Sequence, residues 1–229
     1  MKIFFKVFGQ ATMAVFSRTA TWIIMAGCIL MNATFIMIVP LSLNDMPAWT
    51  LEMMSHMIGI VSIGFFCSVL GEIVANPSDR IFILTRVVRR SSYLLAKVLL
   101  ALLIAGILAG ANSIFYWRLD ERLSVEDPGM YVVPWKLCIT MFTLAILGAS
   151  CGVTMRFYLR EMLISVVILV VSLSYVVGFV MANATEQPPV MQANNEWQYF
   201  KVPLYIFLPL SAGVLTLGFI LNSKVNIGA

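Results

Sequence analysis

The sequence predicts an all-α integral membrane protein with six transmembrane helices, folded as one domain over residues 1–229. Hydrophobic residues make up 61% of the chain and charged residues 11%, whereas soluble domains carry about 25% charged residues. The mean hydropathy is +0.94. Apolar runs of about 20 residues, the length that crosses the hydrocarbon core of a bilayer, alternate with short charged stretches. Lipid is therefore the expected solvent of most of the chain.

The predicted spans lie at about residues 20–41, 51–74, 97–117, 134–155, 162–181 and 202–221. In the sixth span, Pro203 and Pro209 are expected to bend the helix. A polar outer loop over residues 182–201 precedes this span. Residues 1–18 place apolar residues at helical spacing beside Lys2, Lys6 and Arg18. They predict an amphipathic helix in the membrane interface, and the alternative is a plain extension of the first span.

Basic residues set the predicted topology. With the N-terminus inside, 11 of the 15 Lys and Arg residues fall in inner segments. This bias predicts a multi-pass protein of the cell inner (plasma) membrane with cytoplasmic N- and C-termini. The net charge of +4 therefore reflects topology and not nucleic-acid binding, because the basic residues lie beside apolar spans.

The stretch between the second and third spans concentrates basic charge on the predicted cytoplasmic side. Asn76 can cap a helix whose first residue is Pro77. Ile81, Leu84 and Val88 share one face of that helix. Residues 76–92 thus predict a short basic amphipathic helix. Composition leaves two roles open, an anchor on anionic lipid and a docking surface for a soluble partner.

Glu72 ends the second span, and residues 84–97 read LTRVVRRSSYLLAK. This pattern resembles the signature of ABC-2-type permeases, the membrane subunits of one class of ABC exporter, which reads L-T-R-P-V-S-R-x-x-Y-L-L-G-K after such a Glu. The matching residues are Leu84, Thr85, Arg86, Val88, Arg90, Tyr93, Leu94, Leu95 and Lys97. The departures are Val87 for Pro, Arg89 for Ser and Ala96 for Gly. The six spans, the N-terminal helix and the outer loop before span six extend the resemblance.

The resemblance implies that the chain forms half of a substrate pathway and works with a second permease copy or a homologous permease. Since the sequence contains no G-x-x-x-x-G-K-[ST] loop, ATP and Mg²⁺ are expected on a separate cytoplasmic ATP-binding subunit. The chain itself is expected to be neither an enzyme nor a cofactor carrier. The residues expected to dock the ATP-binding subunit are Arg80, Ile81, Leu84, Arg86, Val88, Arg89 and Arg90. The family-signature residues are Glu72, Tyr93 and Lys97.

Two other classes of function compete with an exporter permease. One is a structural subunit of a larger membrane complex that keeps the permease fold without transport. The other is an intramembrane enzyme. The sequence holds no HExxH, no GxSxG and no paired intramembrane aspartates, which disfavours the enzyme.

Glu52 and His56 lie four residues apart near the outer start of the second span, so they share a helical face. Such a pair is a candidate for lining the pathway, relaying a proton or ligating a metal or haem. A water-facing or packing role is the alternative.

The remaining features predict packing. The four cysteines form no CxxC pair, and the 15 methionines are scattered, so neither predicts a metal site. Two small-residue motifs, Gly106-x-x-x-Gly110 and Gly148-x-x-x-Gly152, predict close helix contacts. Four polar residues lie inside the predicted spans, where hydrogen bonds between spans are expected and contacts with a substrate are the alternative: Asn32, Thr34, Asn112 and Ser113.

Overall fold

The apolar runs form helices. A computed structural model of the chain describes the backbone of residues 2–42, 48–75, 90–126, 134–156, 201 and 203–224. Side chains are described for residues 4–34, 58–75, 91–115, 117, 138–154, 201 and 204–220.

These ranges contain helices and no strand, so the all-α prediction is confirmed for the part of the chain they cover. The elements are α1 (Lys2–Phe16), α2 (Thr19–Ser42), α3 (Ala48–Val74), α4 (Arg90–Glu126), α5 (Pro134–Arg156), a π-helical turn (Pro203–Phe207) and α6 (Leu208–Lys224).

Three helices begin and end close to the predicted bounds, because apolar runs set their lengths. These are α2, α3 and α5, which correspond to the first, second and fourth predicted spans. The predicted fifth span, 162–181, and most of the loop 182–201 lie outside the described residues.

Helix α4 is longer than predicted. It continues through Glu126, beyond the end of the predicted third span at about residue 117. The helix extends further because the charged residues that follow Trp117, such as Arg122 and Glu121, are good helix formers. Hydropathy reports the end of the apolar surface and not the end of the helix.

The chain turns sharply between α1 and α2. The axes of Phe4–Phe16 and Thr19–Thr34 differ by 72°, so α1 is not a straight extension of α2. Ala11 and Val15 bury one face of α1, which packs mainly on α4, while Phe5 and Met13 remain exposed.

By length and apolar composition, one described helix can cross a bilayer alone, Ser91–Phe115. The bent pair Phe4–Phe16 and Thr19–Thr34 adds a second if the pair counts as one span. Shorter apolar helices occupy Ile58–Val74, Cys138–Thr154 and Leu204–Ile220. The layout with six spans stays a prediction.

The closest packing joins α3 and α5. A Cβ added at Gly71 would lie 2.8 Å from the carbonyl oxygen of Ala149. At Gly148 it would lie 3.2 Å from the backbone nitrogen of Ser68, and at Gly152 it would overlap the Ser68 carbonyl oxygen. The two backbones therefore touch directly, which only residues without a side chain permit.

The two small-residue motifs behave differently. Gly148-x-x-x-Gly152 makes the predicted close contact. Gly106 has no described atom within 4 Å of an added Cβ, and Gly110 meets only Cζ of Phe142 at 3.8 Å. The predicted close approach at Gly106 was wrong, because that residue does not face a neighbouring described helix.

Helix α4 packs one face against this pair. Leu100, Ile104 and Leu108 are buried on it, while Leu103 and Ile107 on the other face are exposed. In lipid such an exposed apolar face has no cost, so a helix can be apolar on all sides.

The last predicted span begins with a π-helical turn at Pro203, and α6 follows directly with Pro209 as its second residue. The bend expected at these two prolines stays a prediction. Pro209 has no N–H to donate to the preceding turn, which disfavours regular α-helical bonding there. The Ser211 hydroxyl donates to the carbonyl of Phe207 at 2.7 Å across the junction.

We expect Gly152→Ala to lower the free energy of unfolding by about 2 kcal/mol, because the new methyl group overlaps the backbone of α3. Gly106→Ala is the matched control and should be neutral or stabilising by up to about 1 kcal/mol, since alanine favours helix and the site is open. Unfolding by SDS in mixed micelles, followed by circular dichroism, measures both. Equal effects of the two substitutions would contradict the direct backbone contact between α3 and α5.

Candidate functional site

The predicted docking segment lies mostly outside the described residues. This holds for Arg80, Ile81, Leu84, Arg86, Val88 and Arg89. Arg90 is the first residue of α4, and its side chain is also outside the described part. The structure does describe the two ends that the segment joins, Ala75 after α3 and Arg90 at the start of α4.

The family-signature residues flank these ends and are buried. Glu72 lies in the last turn of α3 with 7% of its surface exposed, and Lys97 lies in the second turn of α4 with 1% exposed. Both make interactions within the structure. Ionised side chains are rarely buried so fully unless neighbours compensate them, so these residues hold the helix ends and do not face a partner directly.

Lys97 has an aromatic neighbour one turn earlier on the same helix. Its Nζ lies 5.4 Å from the ring centroid of Tyr93. This geometry fits a cation–π interaction, in which the negative face of the ring attracts the ammonium group. Tyr93 and Lys97 of the signature thus act as one unit.

The signature position Ala96, where the family pattern has Gly, is fully buried, as is its neighbour Leu94. Leu95 is exposed. The departure from Gly at residue 96 thus places a methyl group in the packed interior.

Arg18, in the turn between α1 and α2, reaches the same region. Its Nη1 donates a hydrogen bond of 2.8 Å to the carbonyl of Ile73. That carbonyl belongs to the last turn of α3, where helical carbonyls have no partner within the helix. A cation at a helix C-terminus is also favoured by the helix dipole. Arg18 therefore caps α3 immediately before the predicted docking segment.

The turn that carries Arg18 is held by its own hydrogen bonds. The Thr21 hydroxyl donates to the Val15 carbonyl at 2.7 Å, and Trp22 Nε1 donates to the Phe16 carbonyl at 2.7 Å. The rings of Phe16 and Trp22 lie 5.5 Å apart. These contacts hold the turn between α1 and α2, and Arg18 joins that turn to the last turn of α3.

We call the residues Arg18, Glu72, Tyr93 and Lys97 the flanking cluster. Arg18 joins the α1–α2 turn to the end of α3, and Lys97 packs on Tyr93 at the start of α4.

A second polar group lies deeper between α2, α3 and α4. The Asn32 Nδ2 donates to Ser62 Oγ at 2.9 Å, which confirms the predicted hydrogen bond between the first two spans. It also donates to the carbonyl of Cys28 at 2.8 Å. The Asn112 Nδ2 lies 3.7 Å from Cys28 Sγ. We call Cys28, Asn32, Ser62 and Asn112 the inner polar cluster.

Of two further residues predicted to make polar contacts, Ser113 makes one and Thr34 does not. Ser113 is buried, and its hydroxyl donates to Met141 Sδ at 3.9 Å, from α4 to α5. Thr34 is exposed, so the expectation that it bonds across the bundle was wrong. Its position on α2 turns it away from the described neighbours.

Glu52 and His56 lie in the first half of α3, but their side chains fall outside the described part. Of the four free cysteines, Cys28, Cys67 and Cys151 are buried, as predicted for packing residues. Within the described ranges, no three His, Cys, Asp or Glu side chains come together as a metal site.

The roles of two residues in these clusters, Arg18 and Ser62, were not predicted from the sequence. Arg18 was expected to set topology and to belong to the basic side of the N-terminal amphipathic helix, and its hydrogen bond to the end of α3 was not predicted. Ser62 was not singled out as the partner of Asn32. A serine in the middle of an apolar run, like the asparagine, needs a hydrogen-bond partner.

No protein-family profile, no curated protein and no solved structure matches this chain.

We expect Lys97→Glu to lower the free energy of unfolding by about 3–5 kcal/mol, because it places a carboxylate where the fold holds a buried ammonium against an aromatic ring. Lys201→Glu is the control, since Lys201 is exposed. The yield of folded protein in membranes and SDS-induced unfolding measure the effect. If both variants behaved like the unmodified chain, the buried position of Lys97 would be wrong.

Arg18→Ala should loosen the last turn of α3 by about 1 kcal/mol, because a charged hydrogen bond to a helix-end carbonyl is lost. Amide hydrogen exchange in residues 71–75 should then rise by about fivefold. Lys6→Ala, which removes an exposed cation from α1, should leave this exchange unchanged. An unaltered rate in the Arg18 variant would show that the cap does not hold α3.

Proposed function

We propose that the chain is the membrane permease subunit of an ABC exporter of the ABC-2 type. In this proposal it crosses the inner membrane six times, forms half of a substrate pathway and is driven by a separate ATP-binding subunit that binds ATP and Mg²⁺. The observation that carries the proposal is the match of Glu72 and residues 84–97 to the permease signature.

The flanking cluster supports this proposal. A docking segment can transmit force only if its ends are fixed to the helices that must move. Glu72 and Lys97 are buried beside the two ends, and Arg18 ties the first of them to the α1–α2 turn. Movement of the segment would therefore displace α1, α3 and α4 together, which is what switching between inward-open and outward-open states requires.

The distribution of hydrophobic surface also supports a protein in lipid. Large apolar side chains are exposed on several helices, including Trp22, Leu103, Ile114 and Leu217. Soluble proteins rarely expose apolar surface over so many elements. The polar residues Asn32 and Asn112 instead face the interior, where they are fully buried.

A second candidate is a structural subunit of a membrane complex that keeps the permease fold without transport. The departures at Val87 and Arg89 favour it, because they fall in the expected docking segment. In that role the flanking cluster would stabilise the subunit and would transmit no movement.

The test is to purify the chain in mild detergent from its source organism and identify the proteins that come with it. An exporter permease should copurify with an ATP-binding subunit at one copy per chain. The double variant Arg86→Glu/Arg90→Glu should reduce the recovered ATP-binding subunit by about tenfold or more, because two charges at the docking surface are reversed.

The matched control is Arg118→Glu/Arg122→Glu, which reverses two arginines with the same spacing of four residues on the predicted outer side. It should leave the ATP-binding subunit bound. Recovery of other membrane proteins in fixed ratio, with no ATP-binding subunit, would favour the structural subunit. Retention of the ATP-binding subunit by the Arg86/Arg90 variant would contradict docking through residues 80–90.

A further inference from the structure

Helix α1 branches off the bundle at the end where α2 begins and α3 ends. Its axis differs from that of α2 by 72°, and Ala11 and Val15 are buried on the face that packs mainly on α4. The turn that follows α1 is joined to the last turn of α3 through Arg18. Where α2 crosses a bilayer, a helix at this angle lies close to the plane of the membrane.

The side of α1 that faces away from the bundle carries two different strips of side chains. Phe5, Gly9 and Met13 are exposed and follow one another at intervals of four residues, so they form one strip. Phe5 is 65% exposed and Met13 is 78% exposed. Lys6 and Gln10, which are also exposed and four residues apart, form the neighbouring strip. The free surface of α1 is therefore apolar along one edge and polar along the other.

The apolar strip continues past the end of α1. Phe16 lies three residues after Met13, and its ring centroid is 5.5 Å from that of Trp22. Trp22 Nε1 donates a hydrogen bond of 2.7 Å to the Phe16 carbonyl, while 55% of the residue stays exposed. Tryptophan is enriched at the boundary between acyl chains and headgroups, where its large ring contacts lipid. The apolar strip therefore ends in a residue that is typical of this boundary.

The charge of this region fits an anionic surface. The first 44 residues contain Lys2, Lys6 and Arg18 but no Asp or Glu. A basic amphipathic helix gains free energy on an anionic membrane both from burial of its apolar strip and from charge attraction. A water-soluble acidic ligand would satisfy Lys6 alone. A phospholipid offers a phosphate for Lys6 and acyl chains for the apolar strip beside it.

We propose that α1 binds anionic phospholipid along its exposed side, with Phe5 and Met13 among the acyl chains and Lys6 at the headgroup phosphates. Gln10 lies at the headgroups on the same strip as Lys6. This lipid site goes beyond the proposed function and does not depend on it, because it rests on the surface of α1 and not on an ATP-binding subunit.

Spin labels test where the two strips lie. The label is attached to a cysteine introduced by Phe5→Cys, Met13→Cys, Lys6→Cys or Gln10→Cys, in a chain that also carries Cys138→Ala because the other native cysteines are buried. Each chain is reconstituted in liposomes of phosphatidylcholine and phosphatidylglycerol. Collision rates are measured with oxygen, which dissolves in lipid, and with a water-soluble nickel complex. The ratio of oxygen to nickel collisions should be about fivefold higher at residues 5 and 13 than at residues 6 and 10.

Lipid retention tests the contribution of charge. The purified chain is equilibrated in micelles with equal amounts of phosphatidylglycerol and phosphatidylcholine, and native mass spectrometry compares the two in the complex that retains a single lipid. Lys6→Gln should lower the ratio of phosphatidylglycerol to phosphatidylcholine by about fivefold, since one lysine near an anionic surface strengthens binding by about that factor. Lys201→Gln is the matched control, because Lys201 is also exposed but lies outside α1. It should leave the ratio unchanged.

Four results would overturn the proposal. Labels at residues 5 and 13 that meet the nickel complex as freely as those at residues 6 and 10 would place α1 in water. Labels shielded from both oxygen and nickel would show that a protein, for instance a second copy of the chain, covers the strip. An unchanged lipid ratio in the Lys6→Gln variant would show that Lys6 does not contact the headgroups. An equal fall in the Lys201→Gln variant would show that the lipid responds to the net charge of the chain and not to α1.

Discussion

The direct backbone contact between α3 and α5 is the constraint on which the rest of the described structure depends. Gly71, Gly148 and Gly152 allow it, and no larger residue fits at these positions without moving a helix. The contact brings the backbone nitrogen of Glu72 within 3.0 Å of where a Cβ of residue 152 would lie. The last turn of α3 is thus held by glycine packing from α5 and by Arg18 from the α1–α2 turn. This end of α3 is therefore closely packed from two sides.

The flanking cluster lies at this closely packed end of α3. A buried ammonium or carboxylate is costly, and replacing such groups by apolar residues often stabilises a protein. Lys97 and Glu72 therefore contribute something other than stability alone. Under the proposed function they keep the ends of the docking segment in one arrangement, so that a push from the ATP-binding subunit moves helices and is not absorbed by local unfolding. The cation–π pair of Lys97 and Tyr93 extends this control into the second turn of α4.

Much of the helix layout could be predicted from hydropathy, because most of the helices coincide with apolar runs. The bounds of α2, α3 and α5 follow from that rule. Hydropathy failed at the end of α4, where charged helix formers such as Arg122 continue the helix beyond the apolar surface. It also could not separate Gly148-x-x-x-Gly152 from Gly106-x-x-x-Gly110, since spacing does not tell which face meets a neighbour. The contact of Arg18 with Ile73 joins residues 55 apart in sequence through a backbone carbonyl, which no side-chain pattern records.

The buried position of the inner polar cluster limits where a substrate could pass. Asn32 and Ser62 are directed at each other between α2 and α3, and Asn112 points to Cys28 from α4. All are buried within one chain, and the apolar core around them includes Leu108 and Ile63. A route between these three helices would have to break that core. Under the proposed function the substrate would therefore pass elsewhere than between these three helices. A chain that forms only half of a pathway would have this arrangement, with polar side chains such as Asn32 and Ser62 buried inside and apolar side chains such as Leu103 and Ile107 turned outward.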